Sequence, residues 1–294
     1  MRALRIVLIA LLVLSMLILV PSEVSAQIIE IPIDQEKMEP VNQDFYLSDT
    51  EYLDESLHVT IEYGRAYDTD YLVARIQIAN PTQIRSGMAS ANGKGEMNGN
   101  KLAKHVNAVF ALNGDFYQTN RTSFGKHIVR QGVLKKHNAD GNLDALIIDE
   151  NGDFHIIVKA KEKDFENFEG TIVNCYAFGP ALVIDGEQVT ELIDNGYGAE
   201  KPTQRVCIAQ TGPLSYAVIC CAGPENPNCT GLNIHQFSDL VYSLGDIQTA
   251  YNMDGGGSAT IVFNNEKINT FGSKKIRQIS DIIYFASAYV ADAE

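Results

Sequence analysis

The chain has 294 residues, of which 45% are hydrophobic and 20% are charged, and its formal net charge is −14. This hydrophobic content suffices for a buried core, so the composition excludes an intrinsically disordered protein. Because contacts to a phosphate backbone need clustered Lys and Arg, the acidic balance argues against nucleic acid as a partner. The length corresponds to one or two domains.

The first 26 residues have the three parts of a secretory signal peptide. Arg2 and Arg5 precede the apolar run 6–20, and Val24, Ser25 and Ala26 end in a small-residue cleavage site. The alternative is an uncleaved membrane anchor, but the run is shorter than the about 20 residues that span a bilayer. We therefore expect a secreted or cell-envelope protein without stable membrane insertion after cleavage of the signal peptide.

The segment 27–56 carries nine acidic residues and one Lys, which predicts an extended acidic arm with a short strand at 28–33. A single domain is expected over residues 57–294. Its first half has apolar or alternating runs that predict strands at 57–63, 71–78 and 108–112. Between them, a Gly-, Ser- and Asn-rich loop is expected at 86–100 and a short helix at 101–107.

The second half of the chain predicts many strands and one well-defined helix. The helix is indicated by Ile234, Phe237, Leu240, Val241 and Leu244, which share one face, with an N-cap at Asn233 and a C-cap at Gly245. Strands are predicted at 145–149, 154–158, 171–176, 181–184, 205–209, 215–220, 249–253, 260–263 and 282–286. This pattern predicts an α+β fold with a mixed, largely antiparallel sheet core and a few packed helices.

Five cysteines lie in the second half of the chain, and export would permit disulfides. The loop 222–228 separates Cys221 from Cys229, which makes this pair the favoured disulfide. The alternative is five reduced thiols buried as small apolar side chains.

The most specific local motif runs from Asp254 through Gly255, Gly256 and Gly257 to Ser258, directly after a predicted strand. Consecutive glycines allow a sharp turn whose N–H groups form an anion-binding nest. Asp254 is the candidate catalytic carboxylate and Ser258 adds a hydroxyl donor. The alternative is a flexible glycine hairpin with an Asx turn.

A second motif follows the apolar strand at 108–112. Asn113 and Asp115 offer an amide and a carboxylate to a sugar, and Phe116 or Tyr117 offers a stacking surface. The alternative is an ordinary Asn-Gly turn with aromatic core residues.

Three further residues are candidates for binding substrate. Arg205 opens a predicted strand, and the planar guanidinium of an arginine is the preferred recogniser of phosphate when it lies in a cleft. Arg277 and the loop residue His127 are the others. The alternative for each is an incidental surface position.

The sequence lacks the motifs of several enzyme classes. No G-x-S-x-G elbow surrounds Ser258, since Thr260 stands where the last Gly would be, and the chain has no P-loop and no dinucleotide-binding turn. We therefore expect no cofactor.

Together these motifs resemble the phosphodiester glycosidase family. The resemblance rests on ALNGDFY at 111–117, FGPALVIDGE at 178–187, RVCIAQTGPLSYAVICC at 205–221, GLNIHQFSDLVYSLGDIQTAYNMDGGGSATIVFNN at 231–265 and RQISDIIYF at 277–285. It covers roughly residues 57–287, and the DGGGSAT block is its specific part. Asp115 departs from the family pattern, which often has a second Gly there.

The resemblance implies an exported hydrolase that cleaves a sugar-1-phosphodiester in a cell-envelope or extracellular glycan. It assigns the phosphate to Arg205 and to the N–H groups of residues 255–258. Asp254, with Asp115 as partner or alternative, would be nucleophile or base, while Asn113 and Ser258 would hold sugar hydroxyls.

Two other functions are compatible with the same residues. One is a non-catalytic module that binds cell-wall glycan or exopolysaccharide. The other is a metal-dependent phosphodiesterase with Asp254, Asp115 and His127 as ligands, although no spacing demands a metal. Within the glycosidase interpretation, cleavage of the C–O or of the P–O bond is left open.

Overall fold

The computed structural model describes residues 27–91, 95–116, 125–192, 198–269 and 277–290. Residues 28–289 form one compact unit, and residues 1–27 group with 290–294 in a second, of which only Gln27 and Val290 are described. The predicted signal peptide at 1–26 lies outside the described residues. No helix in the described residues could cross a membrane.

The described residues form 21 strands and three α-helices. The strands are β1 (Gln27–Ile28), β2 (Tyr46–Ser48), β3 (Glu51–Leu53), β4 (Leu57–Ala66), β5 (Thr69–Ile78), β6 (Ile84–Met88), β7 (Phe110–Asn113), β8 (His127–Arg130), β9 (Val133–His137), β10 (Ala145–Asp149), β11 (Phe154–Ile157), β12 (Ile172–Tyr176), β13 (Ala181–Ile184), β14 (Glu187–Gln188), β15 (Arg205–Gly212), β16 (Ser215–Cys221), β17 (Thr249–Met253), β18 (Ile261–Phe263), β19 (Glu266–Lys267), β20 (Asp281–Phe285) and β21 (Tyr289–Val290). The helices are α1 (Gly99–His105), α2 (Glu162–Glu166) and α3 (Ile234–Tyr242).

Three larger sheets build the molecule. One has nine strands in the order β14-β13-β17-β15-β16-β5-β4-β3-β2, and the others have five each, in the orders β11-β10-β12-β8-β9 and β19-β18-β7-β20-β6. The strands pair antiparallel within these sheets. The fold is therefore dominated by antiparallel sheet with few helices, as largely predicted, although the mixed pairing that we expected is not seen in the described residues.

The core lies between the nine-stranded sheet and the two five-stranded sheets. Because side chains alternate across a strand, β15 turns Val206 and Ile208 toward this core and Cys207 and Ala209 toward α3 on the opposite face. Such two-sided burial explains why the central strands are apolar runs rather than alternating patterns.

The helix predicted around Phe237 is confirmed as α3. Asn233 Oδ1 accepts the N–H of Gln236, and Gln236 Oε1 accepts the N–H of Asn233, which completes a capping box. The apolar face, including the fully buried Phe237, packs on the nine-stranded sheet.

Some local expectations fail. Residues 84–88, partly inside the predicted loop 86–100, pair with β20 as strand β6, and α1 begins two residues before the predicted helix. The hairpin of β8 and β9 was not predicted.

The predicted Cys221–Cys229 disulfide is wrong, because the five cysteines are buried free thiols. Cys221 Sγ accepts the N–H of Arg205 at 3.3 Å, whereas Cys229 Sγ accepts the N–H of Asp70 at 3.4 Å.

The segment 27–56 contributes more than one short strand. Its strands β2 and β3 lie at the edge of the nine-stranded sheet, where Tyr52 is fully buried and donates to Asp54. The domain boundary at residue 56 stays a prediction.

Candidate active site

Two strand ends from different sheets meet at the candidate site. Asn113, the last residue of β7, donates from Nδ2 to the carbonyl of Asp254 at 2.7 Å, just after β17. Its Oδ1 accepts the N–H of Thr260 at 3.0 Å. Both polar atoms of this fully buried side chain are thus engaged with the segment 254–260. Asn113 therefore fixes the glycine turn to β7, and its contact with a sugar hydroxyl stays a prediction.

The glycine turn itself is braced from β15. The N–H of Gly256 donates to the carbonyl of Gln204 at 2.8 Å, and the N–H of Ser258 donates to the carbonyl of Gly255 at 3.1 Å. Two of the amides that we predicted to cradle an anion are therefore used inside the fold. Gly256 has a φ of +55°, and a Cβ at Gly255 would lie 2.4 Å from the carbonyl oxygen of Gln204.

Arg277 lies directly on this turn. Its Nη1 donates to the buried Ser258 Oγ at 3.0 Å, and its backbone N–H donates to the carbonyl of Gly257 at 3.2 Å. A Cβ at Gly257 would stand 3.7 Å from the Arg277 guanidinium carbon, which is an ordinary packing distance, so Arg277 packs directly over this glycine. Arg277 is exposed. An exposed arginine that donates to a hydroxyl beside a half-buried turn is suited to binding an anion.

Asp115 belongs to a buried charge cluster. Arg130 Nη2 lies 2.8 Å from Asp115 Oδ2 and 2.6 Å from Asp281 Oδ2. The N–H of Ala177 donates to Asp115 Oδ1 at 3.0 Å, and the Arg130 guanidinium lies 3.9 Å from the centroid of the Tyr176 ring. Both oxygens of the Asp115 side chain therefore already accept hydrogen bonds.

Opposing effects set the ionisation of this cluster. Burial acts to lower the pKa of Arg130, but the carboxylates of Asp281 and Asp115 outweigh it and raise the pKa overall. Burial raises the pKa of Asp281, and Arg130 opposes that rise. The stable arrangement is a permanent guanidinium cation shared by two carboxyl groups.

Lys126 is a buried charged residue beside the candidate site that the sequence interpretation missed. Its side chain is fully buried, and Nζ lies 4.0 Å from Asp115 Oδ1. Burial lowers the pKa of Lys126, whereas the charges of Asp115 and Asp254 act to raise it. Burial is the larger effect, so the pKa of Lys126 is lowered overall. From the sequence, the Gly-Lys-His stretch at 125–127 predicts an exposed polar loop, because Lys is almost never fully buried unless it is paired.

Arg205 is committed to backbone carbonyls. Its Nη2 donates to Ala199 at 2.8 Å and to Lys201 at 2.9 Å, and its Nε donates to Leu232 at 3.2 Å. Burial lowers the pKa of Arg205. In this arrangement the guanidinium fixes the segment 198–201, and only its backbone lies beside the glycine turn. The phosphate contact of Arg205 stays a prediction, and three of its guanidinium hydrogen bonds already go to the backbone carbonyls.

His127 packs inside a layer of aromatic rings. Its Nδ1 lies 2.7 Å from Nδ1 of His137, and its ring stacks on Phe165 with centroids 3.9 Å apart. Burial, with a smaller effect from His137, lowers the pKa of His127 to about 4. The described residues contain no group of three His, Cys, Asp or Glu side chains placed to hold a metal. The trio of Asp254, Asp115 and His127 therefore does not form a metal site here.

The aromatic residues of the second motif are only partly described. Phe116 stacks against Phe178 with ring centroids 6.5 Å apart, and Tyr117 lies outside the described residues.

The tight fit at Gly255 generates a prediction. Gly255→Ala places a methyl group against the backbone carbonyl of Gln204, which directly precedes β15 and accepts the N–H of Gly256, so we expect a loss of about 1–3 kcal/mol in the free energy of unfolding. Gly212→Ala is the matched control, because nothing lies within 4 Å of its Cβ position. Urea denaturation measures both, and equal stabilities would contradict the account.

Comparison with known proteins identifies a family whose model matches the chain. The model of a family described as phosphodiester glycosidase matches residues 106–286. No curated protein matches the sequence.

Solved structures share the fold at low identity. A zebrafish N-acetylglucosamine-1-phosphodiester alpha-N-acetylglucosaminidase catalytic domain, described as auto-inhibited by its pro-peptide, is 18% identical with a TM-score of 0.63, over 79% of this chain and 84% of that one. A hypothetical protein from Synechocystis is 12% identical with a TM-score of 0.53, over 80% of this chain and 62% of that one. Since the family model spans more than half of the sequence, this chain belongs to the phosphodiester glycosidase family.

Proposed function

We propose that the chain is an exported hydrolase that cleaves the glycosyl bond of a sugar-1-phosphodiester in a cell-envelope or extracellular glycan. The observation that carries the proposal is the glycine turn, where Asn113 fixes the backbone of Asp254 at one end and Ser258 at the other end accepts a hydrogen bond from Arg277. Membership of the phosphodiester glycosidase family supports this reaction class.

The chemistry needs little help from a general acid. A phosphate monoester leaves far more readily than an alcohol, so the main requirements are stabilisation of the departing phosphate and of the oxocarbenium-like sugar. We assign the phosphate to Arg277 and Ser258, which are already aligned at 3.0 Å. This assignment replaces Arg205, whose guanidinium donors face backbone carbonyls.

Asp254 is the better candidate for the attacking carboxylate or the base. Asp115 accepts hydrogen bonds from Arg130 and from the N–H of Ala177, which lowers its availability for attack. The backbone of Asp254, in contrast, is fixed by Asn113 at the end of a rigid strand. Asp115 then serves to position Lys126, whose Nζ lies 4.0 Å from Asp115 Oδ1.

Lys126 completes the electrostatic arrangement. Burial lowers the pKa of Lys126 overall, and the charges of Asp115 and Asp254 oppose that fall, so the amine interacts with both carboxylates in a buried site, where such interactions are stronger than in water. The glycine turn thus carries a carboxylate for the anomeric carbon at one end and an arginine for the phosphate at the other.

Removal of the Asp254 charge tests the catalytic assignment. Asp254→Asn keeps the size of the side chain and removes the nucleophile or base, so we expect a loss of about 10²–10⁴-fold in turnover of a sugar-1-phosphodiester. The measurement is release of reducing sugar. Asp246→Asn is the matched control, since Asp246 is an exposed partner of Arg75. Retained turnover in a folded Asp254→Asn variant would refute the assignment, and binding of glycan without any release by the wild type would favour a binding module.

The Arg277 assignment makes a substrate-specific prediction. Arg277→Gln removes a charged donor, which contributes about 1.5–3 kcal/mol, so KM for the phosphodiester should rise about 10- to 100-fold. KM for a p-nitrophenyl glycoside, which lacks the phosphate, should change little. Arg65→Gln, at an exposed ion pair with Asp70, is the control. Equal losses on both substrates would show that Arg277 does not bind the phosphate.

A further inference from the structure

A cavity of about 620 Å³ lies outside the glycine turn, and neither the motifs nor the proposed roles account for it. Its walls are the segment 33–36, strand β6 with the residues after it, helix α1 and the β8–β9 hairpin. The volume falls within the range of about 300–1,000 Å³ that is typical of small-molecule sites. A cavity of this size has room for a ligand.

The outer wall of the cavity is fixed by a buried arginine. Arg85 donates from Nη2 to the carbonyls of Pro32 and Gln35, each at 2.9 Å, and from Nη1 to that of Thr82 at 3.0 Å. Arg85 is only 1% exposed, so these bonds form away from solvent. The segment that closes the cavity is therefore held in place by the fold.

The lining favours an apolar occupant. Its apolar side chains include Met88, Met97, Leu102 and Val106, and methionines adapt to irregular hydrocarbon shapes. The buried polar groups on the inner wall already have partners: Ser86 Oγ donates to Asn174 at 2.8 Å, and Arg130 serves the charge cluster. Since a trapped water needs two to four polar partners, the inner wall suits hydrocarbon better than water.

The mouth and rim of the cavity fit the same occupant. Ile33 and Val133 line the cavity and are 47% and 53% exposed, which continues the apolar surface to solvent. The charged residues of the lining have both signs, with Asp34 and Glu36 opposed by Lys135. The apolar surface at the mouth therefore leads from solvent into the cavity.

The cavity borders the candidate active site. Arg130 lines it and binds Asp115. Met88 on β6 pairs with Asp281 on the neighbouring strand β20. Met97 pairs with Ile279, which lies two residues after Arg277. The same end of the five-stranded sheet therefore carries both the cavity and the proposed phosphate ligand.

We propose that this cavity binds the hydrocarbon chain of the aglycone, so that the substrate is a sugar-1-phosphodiester of an acyl or isoprenoid lipid. The proposal rests on the proposed function for its reaction and on the cavity for its substrate class. The chain enters past Ile33 and Val133, and the phosphate stays at the glycine turn.

A tryptophan reporter tests binding without any turnover. The chain has no Trp, so Val133→Trp places a single fluorophore at the mouth. Leu134→Trp is the matched control, because Leu134 is equally exposed at 55% but does not line the cavity. Dodecyl phosphate, titrated below its micelle concentration, should give a saturable blue shift in Val133→Trp only. No shift, or the same shift in both variants, would overturn the proposal.

A chain-length series then identifies the bound chain as the aglycone. Each buried methylene raises the affinity about fourfold. KM should therefore fall at least about tenfold when the aglycone is lengthened from methyl to dodecyl. Ala89→Phe, which fills the cavity, should abolish this preference and leave KM for the methyl substrate unchanged. Saturable binding without a chain-length preference would refute the aglycone assignment. If dodecyl phosphate binds but no sugar-1-phosphodiester is hydrolysed, the proposed function fails, and the aglycone assignment fails with it.

Discussion

The guanidinium of Arg130 is the group on which both the fold and the site depend. It belongs to β8 in one five-stranded sheet and binds Asp281 on β20 and Asp115 after β7 in the other. Removal of one partner from a buried ion pair leaves an uncompensated charge, which typically costs about 3–5 kcal/mol. The same contacts that join the two sheets therefore also hold the carboxylate beside Lys126.

The candidate site beside this junction depends mainly on its charged side chains. The chain as a whole has a net charge of −14, so an anionic substrate meets an unfavourable overall field. Arg277 on the glycine turn supplies positive charge at the surface, and Lys126 supplies it in the interior. Asn113 ties the end of β7 to the glycine turn. Local cations at a rigid strand end, rather than net charge, would select the phosphodiester.

Features fixed by short-range patterns were predictable from the sequence. The helix α3 with its Asn233 cap and the strand before Asp254 depend on local periodicity and capping. Lys126 and Arg130 were not predictable, because their burial depends on partners far along the chain, such as Asp281. Arg205 shows the converse: an arginine that opens a strand suggests a phosphate ligand, but its donors meet the carbonyls of a loop whose path the sequence does not reveal.

The central claim is that water attacks the sugar of a phosphodiester, directly or after a glycosyl intermediate on Asp254. Hydrolysis of a sugar-1-phosphodiester in ¹⁸O-labelled water, followed by mass spectrometry of both products, tests it most directly. The account predicts that the label appears in the released sugar, because the C–O bond breaks and phosphate departs. Label in the released phosphate would show cleavage of the P–O bond and would contradict the account.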